Sequence, residues 1–314
     1  LGLPGPAAFL TGWMDWLAHA VAGSLYAVIF GAYVVWGAQT ILGFGDAPSG
    51  TGHNEGMGTL FGIPAWPIAK GLTVLICVAF LWINHRGSSE TSKAGNIITV
   101  SKIVVIGIFI TAGFFAMIQG GDAAPTGKFT PFLPEGFSGV FIAMGLTFIA
   151  FEGYEIIVQA GEEVIEPRKN IPKAVFLSLL IVIPIYVLVA VVCLGALAIP
   201  DDVLTSTGWA RGDTWRYLAG LGETGVAVAA NSFLPWGLGA ILLVIGAVLS
   251  TMSALNATTF SSTRVSFAMG RDRFLPAALS YISPKTRTPT IALVASGVLI
   301  IGVAVLLDAE KVAA

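Results

Sequence analysis

The chain has 314 residues, of which 55% are hydrophobic and only 11% charged. Soluble domains carry about a quarter charged residues, so the composition excludes an ordinary globular domain and, with repeated long apolar runs, specifies an integral membrane protein. The net charge of −2 says nothing about partners by itself, but with no basic domain and no basic patch interleaved with aromatics no nucleic-acid partner is expected.

Seven apolar runs are long enough for a bilayer core that needs about 20 residues. They cover 8–42, 64–85, 96–118, 137–161, 172–199, 230–260 and 289–307. The pattern predicts an all-α, multi-pass membrane protein of about seven transmembrane helices in a single domain over 1–314. The first run is too long for a perpendicular helix and is expected to tilt or to extend beyond the bilayer. The chain starts at Leu1 without a signal-peptide pattern and stops soon after an apolar run, so both ends are expected to be cut from a longer protein.

The loops sort by charge. Loops 86–95, 162–173 and 261–288 together hold ten Lys and Arg residues, and loops 43–63, 119–136 and 200–229 hold three. The positive-inside rule makes the ten-residue set cytoplasmic. Residues 213–229 are expected to form a short external helix, and 258–269 to continue the sixth span into the cytoplasm until Gly270 and Pro276 stop it.

Polar residues inside the runs carry the chemistry. In the first span, Asp15 and His19 lie a turn apart, and Gly23 and Gly31 suit close helix contact. Lys102 lies in the cytoplasmic third of the third span. Two readings of it stand: a snorkelling lysine whose stem is buried, or a buried amine that pairs with a carboxylate or gains and loses a proton.

The fourth run breaks the rules of a span. In TFIAFEGYEIIVQAGEEVIEPRKNIP, residues 147–172, Glu152, Gly153, Tyr154 and Glu155 stand where hydrocarbon is expected. An intramembrane carboxylate is costly and faces a cavity, a partner or an ion pathway. The glycine permits non-helical backbone, which survives at membrane depth only where it is buried or lines water. Broken helices of this kind form the midplane sites of secondary transporters. The two carboxylates either sit solvated in a vestibule or serve coupling, gating or pairing across the break.

Pro184 is expected to kink the fifth span. In the sixth, Ser250, Thr251, Ser253 and Asn256 interrupt an apolar helix. Hydroxyls there are expected mostly to bond their own backbone, while Ser250 and Ser253, three apart on one face, suit a cation or an ammonium group. Cys77 and Cys193 lie in apolar runs and read as small buried hydrophobes. No nucleophile triad, metal-ligand spacing, phosphate loop or dinucleotide fingerprint is present, so neither an enzyme nor a cofactor nor a metal site is expected.

FIAFEGYEIIVQAGEEVIEPRKNIPKAV resembles the sixth-helix signature of the amino acid–polyamine–organocation permeases, with its aromatic-x-Gly-aromatic-Glu break. LSTMSALNATTFSSTRVSFAMGRDRFLPAALSYISPKTRTPTIAL resembles that family's eighth helix, cytoplasmic helix and start of the ninth, and PGPAAFLTGWMDWL the beginning of its third. The resemblance covers essentially the whole chain as helices three to nine of twelve. It implies a partial leucine-transporter-type inverted-repeat bundle, with the first-helix half of the substrate site outside this sequence. It implies substrate contact at Ile149, Ala150, Phe151 and Gly153, with Ile149 where many relatives have a gating aromatic. Glu155 matches the Glu after the break. Lys102 aligns with a fifth-helix lysine that replaces a sodium ion in proton-coupled members, and Ser250 and Ser253 lie on the helix that would face it.

The expected function is therefore secondary active transport of amino acids or related amines across the plasma membrane, coupled to protons, by alternating access around 149–155. The alternatives are an ion cotransporter or channel of the same fold, or a seven-helix receptor. Against a retinal-type receptor, the seventh span has no lysine.

Overall fold

Long apolar runs become long helices, because only a helix satisfies its own backbone in hydrocarbon. The computed structural model describes residues 4–45, 58–119, 128–150, 153–221, 225–234 and 237–306. Helices α1 (Gly5–Leu42), α2 (Ala65–Arg86), α3 (Ser88–Gln119), α4 (Gly136–Ala150) and α5 (Glu155–Gln159) come first. Then follow α6 (Pro167–Ala196), α7 (Asp201–Thr207), α8 (Thr214–Leu221), α9 (Gly225–Phe233), α10 (Leu238–Arg271) and α11 (Thr290–Leu306). Five of these, α1, α2, α3, α6 and α10, are long and apolar enough to cross a membrane; α4 and α11 are shorter apolar helices. Strands β1 (Thr59–Leu60) and β2 (Ile63–Pro64) form a minimal antiparallel hairpin in the loop before α2.

The chain forms two compact units. One comprises residues 1–102 and 246–314, the other 103–245.

In the first unit, α1, α2 and α11 pack pairwise. Ala20, Ala27, Cys77, Phe80, Ile98, Leu255 and Ile300 make its core. At 38 residues, α1 is about 57 Å long, well over a ~30 Å hydrocarbon core. Gly31 lets α2 approach closely, since a Cβ there would lie 2.7 Å from Thr73 Oγ1 and collide with the Ala69 carbonyl. Buried polar atoms are mostly satisfied locally: Thr73, Thr251, Thr258 and Thr263 each donate to the carbonyl four residues back, as does Ser266. Trp16 Nε1 donates to Ser296 Oγ at 3.0 Å, tying α1 to α11. Arg86 stacks on Trp82 at 3.9 Å and Arg264 on Phe260 at 4.1 Å, each a cation laid along an aromatic face.

In the second unit, α9 packs on α6, and Phe109, Val192, Cys193, Leu197, Ala229 and Ala230 form the core. The helix expected over 213–229 is described as α8 and α9, and Ala229 and Ala230 of α9 belong to the core. The sixth span begins at Leu238, not 230. Pro235 has no N–H for a helical ladder, and Gly237 takes φ +74°, a left-handed conformation that suits glycine. Helix α6 runs through both Pro172 and Pro184. Phe176, Leu177, Leu180 and Ile181 are exposed on it, as hydrocarbon-facing residues are.

Lys128, a lone cation in an external-type loop, is buried at 9% exposure. Its ammonium donates to Gly195 O and Leu197 O, each at 2.9 Å. These lie at the C-terminal end of α6, where carbonyls lack helical partners and the helix dipole is negative. Burial pushes the Lys128 ammonium below the ordinary lysine range. The unfolded chain therefore holds that proton more tightly, and stability rises as pH climbs from the lowered folded value to the ordinary one of about 10.4. Lys128→Met should lower stability at neutral pH by about 1–3 kcal/mol, by stripping two buried carbonyls of a charged donor. It should also abolish the alkaline rise. Thermal unfolding of the detergent-solubilised protein at neutral and alkaline pH measures both.

Candidate functional site

The break in the fourth run is built from one glycine and one carboxylate. Helix α4 ends at Ala150 after 15 residues, about 22 Å, too short to cross a bilayer core. Helix α5 restarts at Glu155. Between them Gly153 takes φ +108°, a region closed to ordinary L-residues. The Glu155 carboxylate folds back two residues, and its Oε2 accepts the Gly153 N–H at 2.9 Å. A regular helix would have given that N–H a carbonyl four residues earlier; here a charged acceptor takes its place. The carboxylate also sits in the first turn of α5, the end at which a negative charge is favoured. Tyr154, next to it, is exposed. A 3₁₀ turn at Ala160–Glu162 follows, and Glu166 enters α6 in a left-handed conformation ahead of Pro167.

Of the four residues expected to contact substrate, Ile149 and Ala150 form the end of α4 and Gly153 is the hinge of the break. Phe151 and the neighbouring Glu152 lie outside the described residues.

In the other unit, Lys102 of α3 is half-buried, and its ammonium donates to Ser253 Oγ of α10 at 3.3 Å. Ser250, three residues earlier on α10, is exposed. Asn84 Nδ2 of α2 donates to Asn256 Oδ1 of α10 at 3.1 Å, and Asn256 Nδ2 reaches Thr91 O of α3 at 3.4 Å. Of this amide relay, the sequence singles out Asn256 but not Asn84. Its only signal is an asparagine in each of two apolar helices. Among the described residues no group of three His, Cys, Asp or Glu side chains could hold a metal ion.

The amino acid permease family matches residues 1–313. The chain belongs to that family. Its helices accordingly form part of the all-α fold of the amino acid–polyamine–organocation superfamily, a family of membrane permeases and not of enzymes. The permease is 30% identical over 290 residues to the branched-chain amino acid permease BcaP of Bacillus subtilis, covering 91% of this chain and 55% of that protein. It is 28% identical over 302 residues to the methylthioribose transporter of the same organism, covering 95% of this chain and 57% of that protein. A vacuolar cationic amino acid transporter 2 of Arabidopsis thaliana is 28% identical over 233 residues, covering 72% of this chain and 33% of that protein. The chain thus spans about half the length of the two Bacillus relatives.

Among the described residues no atom lies within 4 Å of a Cβ built on Gly153, so backbone conformation is what opposes a side chain there. Gly153→Ala should cost about 1–2 kcal/mol. Glu155→Ala should cost a similar amount by orphaning the Gly153 N–H. Glu155→Gln keeps an acceptor oxygen and should cost less. Thermal unfolding of the three purified variants gives the order.

Proposed function

We propose that the complete permease is a proton-coupled secondary transporter of amino acids or related amines in the plasma membrane. Substrate binds at the broken segment 149–155, where α4 stops, and transport proceeds by alternating access around it. Broken helices expose backbone donors and acceptors that an intact span consumes internally, and such ends bind the charged groups of small substrates in carriers. The carboxylate of Glu155 holds the break open rather than binding substrate. The proposed chain elements are therefore Ile149, Ala150, Phe151 and Gly153 for substrate, with Glu155 as their support and Lys102, Ser250 and Ser253 for coupling and gating.

The observation that carries the coupling role is the Lys102–Ser253 contact. An ammonium on an apolar helix meets a single neutral hydroxyl. Among the described residues no carboxylate contacts it, which leaves the amine able to lose its proton and change partners during a cycle. The relatives' names favour amino acid substrates, while the methylthioribose transporter widens the class to other small polar metabolites.

In the complete protein, Lys102→Ala should insert normally but lower uptake by about tenfold or more, the equivalent of ~1.4 kcal/mol or above, and flatten its pH dependence. Uptake competition with a panel of amino acids, amines and methylthioribose, in proteoliposomes at two pH values, identifies the substrate class and tests coupling. Wild-type uptake with a wild-type pH profile in Lys102→Ala would remove this residue from the mechanism. Ion flux without substrate would favour a cotransporter or channel instead.

A further inference from the structure

We infer that Asn256 is a positioning residue: with Asn84 and the Thr91 carbonyl it fixes the register of α10 against α3, and so holds Ser253 on the Lys102 ammonium. This rests on the coupling role proposed above for Lys102.

The relay is buried and directional. Asn84 and Asn256 are 5% and 6% exposed. Asn84 Nδ2 donates to its own helix at Phe80 O, 2.9 Å, and across to Asn256 Oδ1 at 3.1 Å. Asn256 Nδ2 then donates to Thr91 O at 3.4 Å. The Thr91 carbonyl has two lone pairs, so it can serve α3 and still accept this bond. Turning the Asn256 amide over would set NH₂ against NH₂ and oxygen against oxygen. Both bonds require an amide in one orientation. The carbonyl of Thr91 is part of the backbone, so the relay grips α3 itself rather than a mobile side chain. One turn on, a Cβ at Gly95 would lie 3.4 Å from Asn256 Nδ2, so α10 rides close to α3 at this level.

The spacing links the relay to the ammonium. Ser253 and Asn256 are three apart and share a face of α10. Gly95 and Lys102 are seven apart, two turns along one face of α3. Helical side chains lean toward their helix N-terminus, which brings the long lysine back toward the level of Asn256. A slide of one residue between the helices is about 1.5 Å, enough to take a 3.3 Å contact beyond hydrogen-bond range.

Several other charges in this unit are engaged elsewhere. Glu90 and Lys93 of α3 pair at 2.8 Å, and Asp15 and His19 of α1 at 3.2 Å. Arg86 of α2 and Arg264 and Arg271 of α10 lie over Trp82, Phe260 and Phe267. Lys70 of α2 donates to Val305 O. His85 of α2 lines an apolar groove against α11. Among the described residues no ionised partner contacts Lys102, so its register against Ser253 governs its surroundings.

The test is the pH profile of amino acid uptake by the complete permease in proteoliposomes, for wild type, Lys102→Ala, Asn256→Leu, Asn84→Leu and the Lys102→Ala/Asn256→Leu pair. Asn256→Leu should displace or flatten the profile in the manner of Lys102→Ala, and in the pair it should add no further change of shape. Asn84→Leu removes one bond of the relay, should shift the profile in the same direction by less, and carries the test if Asn256→Leu does not insert. If Lys102→Ala alters the profile while both asparagine variants keep the wild-type shape and lose only maximal rate, the relay is merely structural and this inference fails alone. If Lys102→Ala itself keeps the wild-type profile, the coupling role fails and the inference with it.

Discussion

Hydrocarbon offers no hydrogen bonds, so every backbone group at membrane depth must find its partner within the protein. The long helices obey this by their own ladders, even where Pro172 and Pro184 leave gaps in that of α6. The interruption between α4 and α5 obeys it by substitution. Where the ladder fails at Gly153, the Glu155 carboxylate supplies the missing acceptor at 2.9 Å. Where α6 ends, the Lys128 ammonium meets the Gly195 and Leu197 carbonyls. Hydroxyls along α10 return to carbonyls of their own helix. The charges of Glu155 and Lys128 are thus stand-ins for backbone groups, and their cost is offset by the larger cost of the groups they satisfy.

Lys128, buried, and Lys102, half-buried, show the same side chain held in two different ways. Lys128 is gripped by two carbonyls at short distance, at a helix end whose dipole favours a cation. That is an anchor. Lys102 is met by one neutral hydroxyl at 3.3 Å. A buried ion pair would have locked the ammonium, because removing one partner of such a pair strands a charge. A serine oxygen accepts from an ammonium and can donate to a neutral amine with little rearrangement. The contact therefore survives a change of protonation that an ion pair would resist.

The spans and the break were legible because they rest on composition. A long apolar run has few alternatives to a helix, and Glu152, Gly153 and Glu155 within one announce a departure from it. Some helix ends lie close to expectation, with α2 at 65–86 against 64–85 and α11 at 290–306 against 289–307, whereas α3 begins at Ser88 rather than 96. The start of α10 was misplaced by eight residues, since 225–260 is apolar almost throughout and hydropathy does not register a local stop at Pro235 and Gly237. The role of 225–233 as core was equally hidden, because small residues such as Ala229 and Ala230 read the same on an external helix as in a tight interface. The Asn84–Asn256 relay lay beyond sequence reasoning for a different reason. It joins residues 172 positions apart, and nothing local to either asparagine distinguishes a relay from a polar residue near a membrane interface.

One face of α10 orders these features. In steps of three it carries Ser250, Ser253 and Asn256, which are exposed, half-buried and buried in turn. Chemically similar hydroxyls on its other faces, Thr251 and Thr258, are spent on their own carbonyls. Ser253 is singled out by position, not by type: it stands where the polar face passes from open to sealed. An ammonium held there has room for hydration on the Ser250 side and a fixed amide lattice on the Asn256 side. A cation deeper along the face would meet the buried amide relay, and one further out would meet exposed residues. The middle position joins a polar contact to partial exposure, which is what the proposed coupling role asks of the Lys102 ammonium.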